Sequence, residues 1–157
     1  MMRRTMLMVV LCCAAAAVAD EPPPAFPGAE GFGMFSRGGR EGEVYIVTNL
    51  NGRGPGSLRE AVEANGARIV VFAVGGTIDL GGPLTISNPY CTIAGQTAPG
   101  GGITLKNGSL ILQANHLIVR YIRCRLGEQA GDAGQVDAVS IHCPPDKQDP
   151  DRPVASD

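Results

Sequence analysis

The stretch GGTIDLGGPLTISNPYCTIAGQTAPGGGITLKNGSLILQANHLIVRYI, residues 75–122, decides the fold. It is a succession of brief apolar runs: Thr77 to Leu80, Leu84 to Ile86, Thr92 to Ala94, Ile103 to Leu105, Leu110 to Leu112 and Leu117 to Ile122. Each is strand-sized, and glycine, asparagine or proline punctuates the intervals. Ile78 and Ile103, Leu80 and Leu105, Ile86 and Ile111, and Ile93 and Ile118 recur at one constant spacing, which reads as an internal repeat. Three short strands per repeat cannot bury an apolar face alone, whereas stacked copies form a continuous core with successive strands about 4.8 Å apart. The expected fold is all-β, a right-handed single-stranded parallel β-helix of about three rungs, with isoleucine stacked on isoleucine inside the coil. An antiparallel sandwich could use the same short strands, but it has no reason to hold four apolar pairs in one register.

Working outward, Ile69 to Val74 and Val44 to Thr48 are two more β-branched runs suited to strands. Between them Ser57-Leu58-Arg59-Glu60 has capping-box spacing, and Leu58, Ala61 and Val62 share one helical face. A short capping helix is expected near 57–65, stopped by Gly66. The preceding GRGPG lacks both the Lys-Ser/Thr of a P-loop and the Rossmann spacing, and Pro55 removes a donor, so it reads as a turn. Residues 20–43, with EPPPAFP at 21–27 and glycines alternating with Phe32 and Phe35, read as an irregular lead-in to a coil spanning 44–143.

The chain has 157 residues, a formal charge of -2, 44% hydrophobic and 18% charged residues. Those values suit one soluble domain and give no basic excess for nucleic acid. Residues 1–19 read as a signal peptide: Arg3 and Arg4 precede an apolar run from Met6 to Val18, and Ala17-Val18-Ala19 supplies the cleavage site, after Ala19. That run is shorter than the roughly 20 residues needed to span a bilayer. A secreted or periplasmic protein, off the membrane once cleaved, is therefore expected. The mature part would keep Cys91, Cys124 and Cys143, which form no C-x-x-C pair, and Cys91 and Cys124 sit among apolar residues as small buried side chains do.

AFPGAEGFG at 25–33, GPGSLREA at 54–61, RIVVFAVGGTIDL at 68–80 and TIAGQTAPGGGI at 92–103 together resemble bacterial pectate lyases, from Ala25 to about Ile141. GPGSLRE alone is unspecific, being similar to the cap of many β-helices. The resemblance implies cleavage of polygalacturonate-type acidic polysaccharide by β-elimination, calcium bridging protein carboxylates to the uronate, and an arginine as base. Calcium requires several hard oxygen ligands, so carboxylates must converge from neighbouring rungs. GDAGQVDAVSI at 131–141 is similar to the rung where the family sets an early calcium ligand, which points to Asp137, with Asp132 second. Asp137 could equally be a turn residue capping a strand at Ala138 to Ile141.

No catalytic residue is assigned. Where the family would supply further acidic ligands and the arginine, residues 144–157 read PPDKQDPDRPVASD, a polar tail. The expectation is the N-terminal part of a lyase, truncated and inactive alone, monomeric or prone to aggregation through an unpaired sheet end. A non-catalytic β-helix that binds polysaccharide or serves as a surface module is the alternative. A lyase or hydrolase of another uronic-acid polymer is a third possibility. Arg120, Arg123 and Arg125 form a basic cluster that an acidic polymer would find attractive, although solvent-facing arginines are the commoner case. His116 and His142 show no partner for base catalysis.

Overall fold

The computed structural model describes residues 22–127 and 136–142. The signal segment, the polar tail, Asp132 and Cys143 lie outside the described residues. None of the described helices is long and apolar enough to cross a membrane.

The chain enters the coil as β1 (Glu43–Val47), turns through a short helix α1 (Leu58–Glu63), and then makes three rungs of three strands each. These are β2 (Arg68–Phe72), β3 (Gly76–Asp79) and β4 (Leu84–Ile86), then β5 (Cys91–Ala94), β6 (Ile103–Lys106) and β7 (Leu110–Leu112), then β8 (Leu117–Arg120), β9 (Ile122–Arg125) and β10 (Val139–Ile141). Every pairing is parallel, giving three sheets in the orders β1-β2-β5-β8, β3-β6-β9 and β4-β7-β10. This is a parallel β-helix.

Within each strand alternate residues point inward, as the period of two demands. Val70, Ile78, Leu84, Ile93, Ile103 and Leu110 are all buried in one continuous core. The stacking register differs from the constant spacing read in the sequence. Ile78 stands beside Leu105, Ile103 beside Gly76, Ile86 beside Leu112, and Ile93 beside Val119. The connections differ in length from rung to rung, so identical isoleucines one fixed interval apart are not neighbours. The run Leu117 to Ile122 also divides into two strands. Tyr121 adopts a left-handed φ of 57°, and this single residue turns the chain from one sheet to the next.

The helix closes one end of the coil. Leu58, Ala61 and Val62 are buried, as their spacing predicts. Ser57 Oγ accepts the Glu60 N–H at 3.3 Å, while the Glu60 carboxylate accepts from Gly56 N–H at 2.6 Å rather than from Ser57 itself. Gly66 does adopt a left-handed φ of 84°, two residues past the C-cap Ala64. Arg68 fastens this cap to the rungs: it is fully buried and donates to the carbonyls of Ala61, Val62, Gly66, Asn88 and Pro89.

The lead-in crosses the outer side of the β1-β2-β5-β8 sheet. Ser36 Oγ donates to Leu117 O at 3.4 Å, Arg37 N–H to His116 Nδ1 at 3.2 Å, and Gly39 N–H to Thr92 Oγ1 at 2.9 Å. A Cβ on Gly39 would collide with the Arg68 carbonyl, so only glycine lets the strap lie this close.

Candidate functional site on the outer faces of the coil

A parallel coil presents its chemistry on the outward residues of each sheet and on the turns between them. Asp137 precedes β10, the last described strand, which pairs with β7. Its carbonyl accepts from Ser109 Oγ at 2.6 Å, and its carboxylate Oδ2 accepts from Ser140 Oγ at 3.5 Å. The carboxylate is exposed and forms a local cap at the start of β10. Among the described residues no group of three His, Cys, Asp or Glu side chains converges. Calcium takes six to eight oxygen ligands as a rule, about 2.3–2.6 Å away. Asp137 offers one carboxylate, so the described residues do not by themselves fit a calcium site.

The three arginines of the basic cluster fall on two faces. Arg120, on β8, lies with its guanidinium carbon 4.0 Å from the centre of the Phe26 ring and 5.1 Å from that of Tyr121, and so anchors the lead-in. Arg123 and Arg125 lie on β9, on the outer face of the β3-β6-β9 sheet. There the register builds two rows across successive rungs, Thr77–Thr104–Arg123 and Asp79–Lys106–Arg125. Arg123 Nε donates to Thr104 Oγ1 at 3.0 Å, and Nη2 donates to Gly101 O. Lys106 Nζ approaches Asp79 Oδ2 at 3.3 Å, with both side chains about half exposed.

Asp79 also accepts from Asn107 Nδ2 at 2.8 Å and from Gly81 N–H at 3.2 Å. These bonds, that of Asn107 foremost, hold its carboxyl below the ordinary carboxylate range, with Lys106 adding to the effect. Lys106 was not singled out in the sequence. The signal that could have found it is the match of Thr-Ile-Asp at 77–79 with Thr-Leu-Lys at 104–106, which carries the true register.

The histidines serve structure. His116 stacks on Tyr90 one rung away, with ring centres 4.8 Å apart and planes within 7°, and both residues are left-handed turn positions with φ of 54° and 58°. His142 Nδ1 lies 3.5 Å from Gln113 Nε2. Cys91 and Cys124 are free thiols, and burial pushes both above the usual thiol range, as small interior side chains should be.

No family model matches the chain. Three curated relatives align with it over 118 residues, 74% of this chain and 27% of their own length. They are the probable pectate lyase C of Aspergillus terreus at 57% identity, that of Neosartorya fischeri at 56%, and that of Aspergillus flavus at 55%. The chain thus spans about a quarter of the length of the relatives it matches.

Proposed function

The chain belongs to the pectate lyase family, and from that premise we propose that it forms part of a polysaccharide lyase acting on polygalacturonate-type polymers by β-elimination. The observation that carries this reading is the 57% identity over 118 residues. The parallel coil and the basic outer face of β3-β6-β9 support it. In such a reaction a base removes the proton on the carbon next to the uronate carboxylate. The glycosidic oxygen leaves with its electron pair, and the product carries an unsaturated sugar end. None of the described residues is given the role of base.

Calcium is proposed as the cofactor of the whole enzyme. Asp137 would supply one ligand, and Asp132, outside the described residues, is the second candidate. No step is drawn through the metal, because one carboxylate does not make its site. Export through a signal cleaved after Ala19, followed by action off the membrane on extracellular acidic polysaccharide, completes the proposal.

The alternative, a coil that binds polysaccharide without cleaving it, takes its support from Asp137 standing outside any group of three His, Cys, Asp or Glu side chains among the described residues. On either reading these 157 residues alone should not cleave polygalacturonate. A chimera separates the two. The 118 matched residues would replace the corresponding stretch of the Aspergillus terreus protein, and products from polygalacturonate would be followed by ultraviolet absorbance. Unsaturated uronide ends are expected. Saturated ends, or polymer bound but left intact, would overturn the lyase reading.

A further inference from the structure

We propose that the outer face of the β3-β6-β9 sheet is a separate docking site for the carboxylates of a polyuronate chain, on a different face of the coil from Asp137. The choice of polymer rests on the function proposed above. The site itself rests on geometry.

A groove of about 380 Å³ opens on this face, walled by Thr77, Thr104 and Arg123 and floored by the glycine loop that follows Pro99. Its floor is nearly all backbone. Gly75 must be glycine there, because a Cβ would collide with the Pro99 carbonyl, and Gly100 and Gly102 adopt left-handed φ of 59° and 78°. The absence of side chains leaves room for a sugar ring beside the guanidinium.

Arg123 is held in place before any ligand arrives. Its bonds to Thr104 Oγ1 and Gly101 O use two of the five guanidinium donors and fix the plane of the fork beside Gly102. A planar fork so held pairs with a carboxylate through two parallel bonds, and little side-chain freedom remains to be lost on binding. Lys106 is offset by Asp79, which leaves the positive charge of this face on Arg123 and Arg125. They occupy neighbouring outward positions of one strand, about 7 Å apart along it. Thr77 and Thr104 add hydroxyls in the row that ends at Arg123. Among the described residues no aromatic ring lines the groove, so recognition falls on carboxylates and hydroxyls rather than on stacking with a sugar face.

The test is retardation of the 157-residue chain in gels containing polygalacturonate, with the fully methyl-esterified polymer as the uncharged control. The acidic polymer should retard the chain, salt should weaken the effect, and the ester should not reproduce it. The double variant R123E/R125E should lose on the order of tenfold in affinity. R123K, which keeps the charge without the fork, should lose severalfold. Circular dichroism checks folding, and R123K carries the test if the double variant unfolds. R53E, which changes an exposed cation in the turn before α1 that does not line the groove, should bind as the parent does. No retardation of the parent, wild-type binding by both face variants, or an equal loss in R53E would each overturn the proposal. Should the chimera fail to cleave while this binding holds, the lyase reading falls and the docking site stands.

Discussion

Replacing Arg68 by methionine tests how the cap is held on the coil. Arg68 is 0% exposed and donates five hydrogen bonds, to Ala61 O at 3.1 Å, Val62 O at 2.6 Å, Gly66 O at 3.0 Å, Asn88 O at 3.2 Å and Pro89 O at 3.1 Å. Two of these carbonyls belong to the last turn of α1, where a helix leaves its acceptors unsatisfied and a cation is favoured. Hydrogen bonds to a charged group contribute about 1.5–3 kcal/mol each. Burying the guanidinium costs several kcal/mol in return. Methionine matches the volume of the stem but leaves five acceptors without donors, those of Ala61 and Val62 buried, so the net loss should be about 2–5 kcal/mol. Lysine, with three donors on one centre, should recover roughly half. Guanidinium unfolding of the 157-residue chain, followed by circular dichroism, reads both values. Because the partners are carbonyls rather than exposed carboxylates, the differences should persist at high salt. A loss below ~1 kcal/mol for R68M, or equal losses for R68M and R68K, would refute the reasoning.

Other consequences follow from the same contacts. The carboxyl of Asp79 is held below the ordinary carboxylate range, so its contribution to stability is present above that range and lost as pH falls through the lower folded value. A pH series of thermal melts should show that loss in the parent and a smaller one in D79N. Gly39→Ala forces a methyl into the Arg68 carbonyl, and the strap should lift or the melt fall by an amount on the order of 1–3 kcal/mol, read by thermal unfolding together with proteolysis of residues 22–42. Ile78 is 0% exposed between rungs, and I78A should cost about 2–5 kcal/mol in denaturant unfolding, whereas T77A on the outer face should change stability little.

Most of the architecture was legible because a parallel coil writes its core as repeated apolar runs. Leu84–Ile86 and Leu110–Leu112 coincide with the strands read from sequence, and the helix follows from Ser57 and the face of Leu58, Ala61 and Val62. Register was the weaker inference. Equal spacing of isoleucines made Ile78 and Ile103 look like partners, while the geometry of the turns pairs Ile78 with Leu105. Sequence patterns show which residues are inside, and turn lengths decide which of them touch. Arg68 and Lys106 passed unnoticed for a related reason. A buried arginine satisfied by carbonyls has no acidic partner at a telling spacing, and the row through Lys106 exists only once the register is known. The splitting of the basic cluster depended on one left-handed residue, Tyr121, which no propensity scale would single out.

The most direct test of the account is the rate at which the chimera forms unsaturated uronide ends from polygalacturonate, with and without calcium. The account predicts a steady rate that a chelator reduces to background and added calcium restores. Asp137→Asn should raise the calcium needed by about tenfold or more, as expected of the charged ligand proposed at this position. A rate that survives chelation, or one unchanged in D137N across the calcium titration, would contradict it.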